Sequence, residues 1–143
     1  MMKKLLLFVI GSLVISCSDD NSSNPLEDVN EKSTWKIIYE QEGDKEGFNQ
    51  MLSLGGKWKG ATDGQILYDS QNADMPNVIE HESIDDENVT FLYNGTQKPS
   101  SEGTELNVEI KFYKGDELYN SWDINLDDEN SIRTISYTSL QDE

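Results

Sequence analysis

The chain has 143 residues and one cysteine, with 28 acidic against 11 basic side chains and a formal net charge of −17; that length holds one domain and a short tether, and one cysteine allows no internal disulfide. The acidic excess argues against nucleic acid, which needs a larger basic patch than Lys57, Trp58 and Lys59 offer, and it opposes attraction to anionic lipid headgroups. Attachment to a membrane therefore requires a device of its own.

Residues 1–17 are expected to supply it. Lys3 and Lys4 precede an apolar run over 5–15, followed by Ser16 and Cys17. Eleven residues at about 1.5 Å rise each fall well short of a hydrocarbon core of roughly 30 Å, so 1–16 reads as a signal peptide and not as a membrane span. Its removal takes two lysines with it and leaves 28 acidic against 9 basic side chains, a net charge of −19.

Val14, Ile15, Ser16 and Cys17 resemble the lipobox of bacterial lipoprotein signals, an aliphatic residue, a variable one, a small one and an obligatory cysteine, with Val14 standing where leucine is commoner. The resemblance implies cleavage before Cys17, a thioether from its sulfur to diacylglycerol, and acylation of the new amino terminus. At about 0.8 kcal/mol per buried methylene, one acyl chain anchors marginally and two or more anchor stably. Aspartate directly after the cysteine resembles an inner-membrane retention signal; Ser18 stands there instead, which implies the outer membrane. Asp19 and Asp20 resemble the export signal of some surface-exposed lipoproteins.

Residues 17–32 are rich in Ser, Asn, Asp and Glu and too poor in apolar groups to offset the entropy of ordering, so they read as a lipidated flexible tether. From 33 to 143 the texture changes to short alternating runs punctuated by Gly, Asn and Asp, the pattern of strands. The run 34–42 sets Trp35, Ile37 and Tyr39 against Lys36, Ile38 and Glu40. In 47–54, Phe48, Gln50, Leu52 and Leu54 share a face. Lys57, Trp58 and Lys59 form a short strand or a loop, 65–69 is a brief strand, 78–84 follows Pro76, and 89–93 alternates Val89, Phe91 and Tyr93.

The segment 105–126 has the clearest period. Leu106, Val108, Ile110 and Phe112 alternate, and Leu118, Trp122, Ile124 and Leu126 repeat the pattern with Asn120 as the polar member. Paired residues of an antiparallel hairpin share a face, so two even-numbered sets require an odd loop. That excludes a two-residue turn and predicts a three-residue loop, Tyr113, Lys114 and Gly115, with Gly115 left-handed. The predicted register pairs Ile110 with Leu118 and Leu106 with Trp122. A last strand is expected over 131–139.

About seven strands in this length predict an all-β fold, an immunoglobulin-like antiparallel β-sandwich. The opening Trp35 to Glu40 strand, the glycine-rich middle and the 107–118 hairpin resemble the small sandwiches of MmpS-like bacterial membrane proteins, which implies an accessory role beside transporters. The competing fold is a lipocalin-like barrel, because Trp35 soon after a lipid anchor also resembles bacterial lipocalin-like domains; a barrel implies a cavity for a small apolar ligand.

The inventory disfavours catalysis. His81 is the one histidine and Cys17 the one cysteine, no Gly-x-Ser-x-Gly elbow is present, and zinc would find only carboxylates. His81, between Glu80 and Glu82, is expected to face solvent. Asp-Asp-Glu-Asn occurs at 85–88 and 127–130, where clustered oxygens suit calcium and Asp and Asn equally suit turns. Trp58 is expected in the core before a sugar-stacking role. Asn88-Val89-Thr90 and Asn94-Gly95-Thr96 match a eukaryotic glycosylation pattern that a bacterial lipoprotein does not call for. The expectation is a non-enzymatic lipoprotein, attached through Cys17, with no cofactor or metal, whose partner is an envelope protein or an extracellular ligand. The alternative is a lipocalin-like carrier with a lumen lined by Trp35, Phe48, Phe91 and Trp122.

Overall fold

The computed structural model describes residues 33–139; Cys17, the signal peptide 1–16 and the tether 17–32 expected from the sequence lie outside the described residues. In Trp35–Gly43 (β1) Trp35, Ile37, Tyr39 and Gln41 are buried and their neighbours are not, because successive side chains of a strand point to opposite faces. The same two-residue period runs through Phe48–Gly56 (β2). A short 3-10 turn, Lys45–Gly47, joins the two. Gln65–Asp69 (β3) and Val78–Glu82 (β4) are shorter and more exposed. Val89–Gln97 (β5) and Leu106–Lys114 (β6) bury alternate residues, and Glu117–Leu126 (β7) and Ile132–Thr138 (β8) complete the fold.

All pairings are antiparallel, and the strands form two four-stranded sheets, β4-β1-β6-β7 and β3-β2-β5-β8. This is the β-sandwich that the alternation predicts, with eight strands. The lipocalin-like barrel is not formed, since each sheet keeps two edge strands and closure would leave none. No helix among the described residues is long and apolar enough to cross a membrane.

The 105–126 hairpin departs from the predicted register. Lys114 pairs with Glu117 across the two-residue turn Gly115 and Asp116, with Gly115 at φ +59°, the left-handed backbone that hairpin turns of this length need. Ile110 pairs with Trp122 and Leu106 with Leu126, not with Leu118 and Trp122. Parity is restored by a bulge: Phe112 faces Asn120 and Tyr113 faces Leu118, so Tyr119 is the extra residue. One inserted residue exchanges the two faces beyond it. Trp122 therefore stays inward beside Phe91, at 5.2 Å between ring centroids, whereas Leu118 turns outward and is 54% exposed.

Aromatic rings fill one end of the space between the sheets. Trp35 stacks on Phe112 at 4.7 Å, and Phe91 and Tyr137 meet Phe112 from the other sheet at 5.4 and 4.7 Å. Tyr119, the bulged residue, packs edge-on to Trp35 at 5.1 Å. Trp58 closes this end from the glycine-rich connection between β2 and β3, 1% exposed, its indole N–H donating to Gly55 O and Thr90 O. It is a core residue bridged to Ser83 and not an exposed stacking platform.

Candidate functional site

Besides Trp58, the candidates His81 and the acidic loops 85–88 and 127–130 fall within the described residues. His81 was expected on the solvent side, but it sits directly opposite Ile37 and therefore shares the inward face of that pair. Its Nε2 lies 2.9 Å from Tyr68 Oη on β3, so the two side chains span the open edge where β3 and β4 face each other from different sheets. Ile79 and Ser83, two residues either side of His81, are buried, and that alternation was readable; the charges of Glu80 and Glu82 masked it. Burial lowers the His81 pKa, and a hydrogen bond with the Lys59 backbone opposes part of the shift.

The sign follows from linkage: a folded-state pKa below the unfolded value means that the unfolded chain binds the proton first, so stability is full above about pH 6.5 and falls as the pH drops through the folded pKa. An NMR titration of this one imidazole is expected to show a midpoint below 6.5, and a midpoint at or above it would place the ring in solvent.

The two acidic loops act as turns. At 85–88 the Asp85 carboxylate accepts from Glu87 N at 3.0 Å and pairs with Lys57 at 2.8 Å, and Asp86 O accepts from the Trp35 indole at 3.0 Å. At 127–130 Asp127 accepts from the backbone of Glu129 and Asn130, while Asp128 accepts from Gln97 and from Gly103 N. These last bonds hold the Asp128 carboxyl below its usual pKa. Among the described residues no three His, Cys, Asp or Glu side chains converge on a point where a metal ion could sit.

At the other end of the sandwich the core turns polar. Gln50, 2% exposed, accepts from Tyr39 Oη at 2.6 Å and Tyr93 Oη at 3.1 Å, and donates to Gln41 Oε1 at 2.7 Å. Gln41 passes the chain on to the carbonyls of Met75 and Pro76 at 3.1 and 3.0 Å. The network ties β1, β2 and β5 to the β3–β4 connection. Buried polar groups cost little when each finds a partner, and here these do. Burial raises the pKa of both phenols, Tyr39 further through the neighbouring Tyr93.

The two outer faces are the remaining surfaces of consequence, and they differ in charge. Fifteen side chains point outward from β4-β1-β6-β7, of which eight are charged, six acidic with Lys36 and Lys111. Glu40, Glu109 and Asp123 lie directly opposite one another across three strands, an arrangement of like charges that destabilises a sheet. Lys111 offsets part of this, with Nζ 2.8 Å from Glu109 and 3.3 Å from Glu40, contacts that raise its own pKa. Around this row a concavity of about 600 Å³ opens, lined also by Glu42, Asn107 and Asn125. The Oδ1 of Asn125 is buried there without a hydrogen-bond partner.

The outer face of β3-β2-β5-β8 also presents fifteen side chains, but a single charge, Asp69. That carboxylate is turned into the β3–β4 connection, where it accepts from Gln71 N at 2.9 Å and Asn72 Nδ2 at 2.7 Å. The rest of the face is Thr, Ser, Asn and Gln with Gly55 and the aliphatic Met51, Leu67, Leu92 and Ile132. Neither outer face is marked as a surface of interest by the sequence. The outward residues were readable as the alternate set of each strand; which strands adjoin was not.

No protein-family model matches the chain, and no curated protein matches it. The fold is shared with solved structures. A DUF4425 domain of unknown function from Bacteroides vulgatus superposes with a TM-score of 0.61 at 21% identity, covering 76% of this chain and 96% of that one. A DUF4425 family protein from Bacteroides ovatus superposes at 0.60 with 16% identity, covering 77% and 99%. At these identities the likeness extends to the fold and no further.

Proposed function

We propose that the chain is a lipoprotein, lipidated on Cys17 and held at the outer membrane, whose sandwich is a non-enzymatic binding or accessory module facing away from the bilayer. The observation that carries the reading of the domain is where its volume lies. Of the four residues that would line the lumen of a carrier, Trp35, Phe48 and Phe91 are 4%, 1% and 2% exposed and packed into the core and Trp122 is partly buried against it, while the concavity of about 600 Å³ opens on the outside of a sheet. A domain built this way engages its partner from outside, as an accessory subunit does, and does not enclose an apolar ligand. His81, the one imidazole a Ser-His-Asp site could use as its base, is bonded to Tyr68 at a sheet edge on the other side of the sheet from that concavity, which speaks against nucleophilic catalysis of that kind there.

The anchor has its own support in the lipobox resemblance and in the charge, since a mature chain with 28 acidic against 9 basic side chains, −19, finds no attraction to anionic lipid. Replacing Cys17 by serine is expected to abolish incorporation of a labelled fatty acid and to release the chain from the membrane fraction. Persistence of either in the Cys17→Ser chain would show that the anchor lies elsewhere. Purification of the lipidated chain from intact cells tests the second half: an envelope protein is the expected companion, and a stoichiometric small apolar molecule in its place would restore the carrier.

A further inference from the structure

We propose that the outer face of the β3-β2-β5-β8 sheet is where two copies of this chain meet, sheet against sheet, in a weak reversible dimer. The inference goes beyond the anchoring and accessory role and does not depend on it.

The charge distribution carries the argument. Of two outer faces with fifteen outward residues each, one holds eight charges and the other holds Asp69, whose carboxylate is occupied by its own turn. The chain as a whole is 27% charged, so the neutral face is the exception that requires a cause. A partner of opposite charge gains by meeting carboxylates, and the other sheet offers them. A partner with an acidic surplus of its own gains instead from a face on which no carboxylate must be desolvated opposite another. A second copy, at −17, is such a partner.

The face shares with an interface core its depletion of charge, and Met51, Leu67, Leu92 and Ile132 give it aliphatic contact points among hydrogen-bonding Thr, Ser, Asn and Gln. Leu67 on one edge strand and Ile132 on the other are 54% and 61% exposed in the single chain. Sheets stack face to face at about 10 Å through such side chains, and two copies of one face close on each other about a two-fold axis.

The dimension of the face sets the strength. Four strands about 4.8 Å apart and up to nine residues long at about 3.3 Å each give a projected area on the order of 500 Å². That is below the roughly 800 Å² per partner of a stable interface, hence a weak dimer in solution. Confinement to a membrane raises the effective concentration and would favour the same contact.

The test is sedimentation equilibrium on the full chain carrying Cys17→Ser, at protein concentrations up to about 1 mM. Two copies of like charge joined through a neutral face associate more tightly as salt rises from about 0.01 M to about 1 M, where the screening length falls from roughly 30 Å to about 3 Å. The expected tightening is at least about tenfold, and salt bridges would give the reverse. Ser136→Glu, exposed at the middle of β8, is expected to abolish the dimer with the melting temperature unchanged, and Ser121→Glu on the other sheet to leave it intact. Thr134→Cys is expected to cross-link to a dimer with a bismaleimide and Ser121→Cys to remain single, a comparison that introduces no charge. A monomer at every concentration and salt, a dimer that weakens with salt, a dimer indifferent to Ser136→Glu, or cross-linking through Ser121→Cys would each overturn the proposal.

Discussion

Phe112→Ala is expected to remove about 3–5 kcal/mol of stability, a large share of the 5–15 kcal/mol that holds a domain of this size folded. Phe112 is 0% exposed, and its ring touches Trp35 of its own sheet and Phe91 and Tyr137 of the facing one, with Trp58 at 6.3 Å closing the end. These rings are themselves held on strands of both sheets, so they cannot collapse into the space left behind, and the cavity term adds to the lost transfer energy. Urea unfolding monitored by tryptophan fluorescence measures the change as a shift in midpoint at constant slope. Leu118→Ala is the control that decides the register. It points outward beside Tyr113 and is expected to cost less than about 0.5 kcal/mol. A loss comparable to that of Phe112→Ala would put Leu118 in the core and restore the three-residue loop.

The polar end of the core gives the second large effect. Gln50→Leu keeps the volume but takes away the acceptor that both tyrosine hydroxyls share; Tyr39 retains Gln41 Oε1 at 3.1 Å, whereas Tyr93 loses the acceptor it donates to. An unsatisfied buried hydroxyl costs about 1–3 kcal/mol, and adding Tyr93→Phe is expected to recover most of that loss, because replacing both partners by apolar groups of the same shape is close to neutral. Additive losses in the double variant would show that Gln50 and Tyr93 do not share a bond.

The same phenols predict alkaline instability. Burial raises the pKa of Tyr39 and Tyr93 far above the usual value of about 10, so in the unfolded chain these protons leave first. The stability they contribute is complete below about pH 10 and is lost as the pH rises from there, at about 1.4 kcal/mol per pH unit for each group. Tyr137, pushed up to about 12 by burial and a hydrogen bond with Tyr119, loses its share over the same window. Tyr93→Phe is expected to reduce the slope of stability against pH above 10 by about 1.4 kcal/mol per unit, and an unchanged slope would mean that Tyr93 ionises in the folded protein.

Much of this fold was legible before any coordinate. The inward sets of β1, β2, β5 and β6 follow from alternation alone, because a strand buried on one face must change polarity every residue whatever its neighbours are. Gly115 as the turn glycine and Trp58 as a core residue were equally readable, from left-handed backbone and from side-chain size. The bulge at Tyr119 was not. A two-residue turn with a bulge at Tyr119 and a three-residue loop with its bulge at Gly115 satisfy the same parity, and only the packing of Tyr119 against Trp35 and Tyr137 selects between them.

The side of the strand that His81 occupies is hidden in the sequence for a related reason. Its neighbours in the chain are charged, but its environment is set by Ile37 and Tyr68, which lie on other strands. The sequence by itself determined the net charge, the one cysteine at position 17 and the strand texture, all properties of single residues and their nearest neighbours. Only the tertiary structure decided that Glu40, Glu109 and Asp123 form one row, that Tyr39, Gln41, Gln50 and Tyr93 form one network, and that one outer face is charged and the other is not. Each of these joins residues far apart in the chain, and the pairing of distant strands depends on how all of them pack at once.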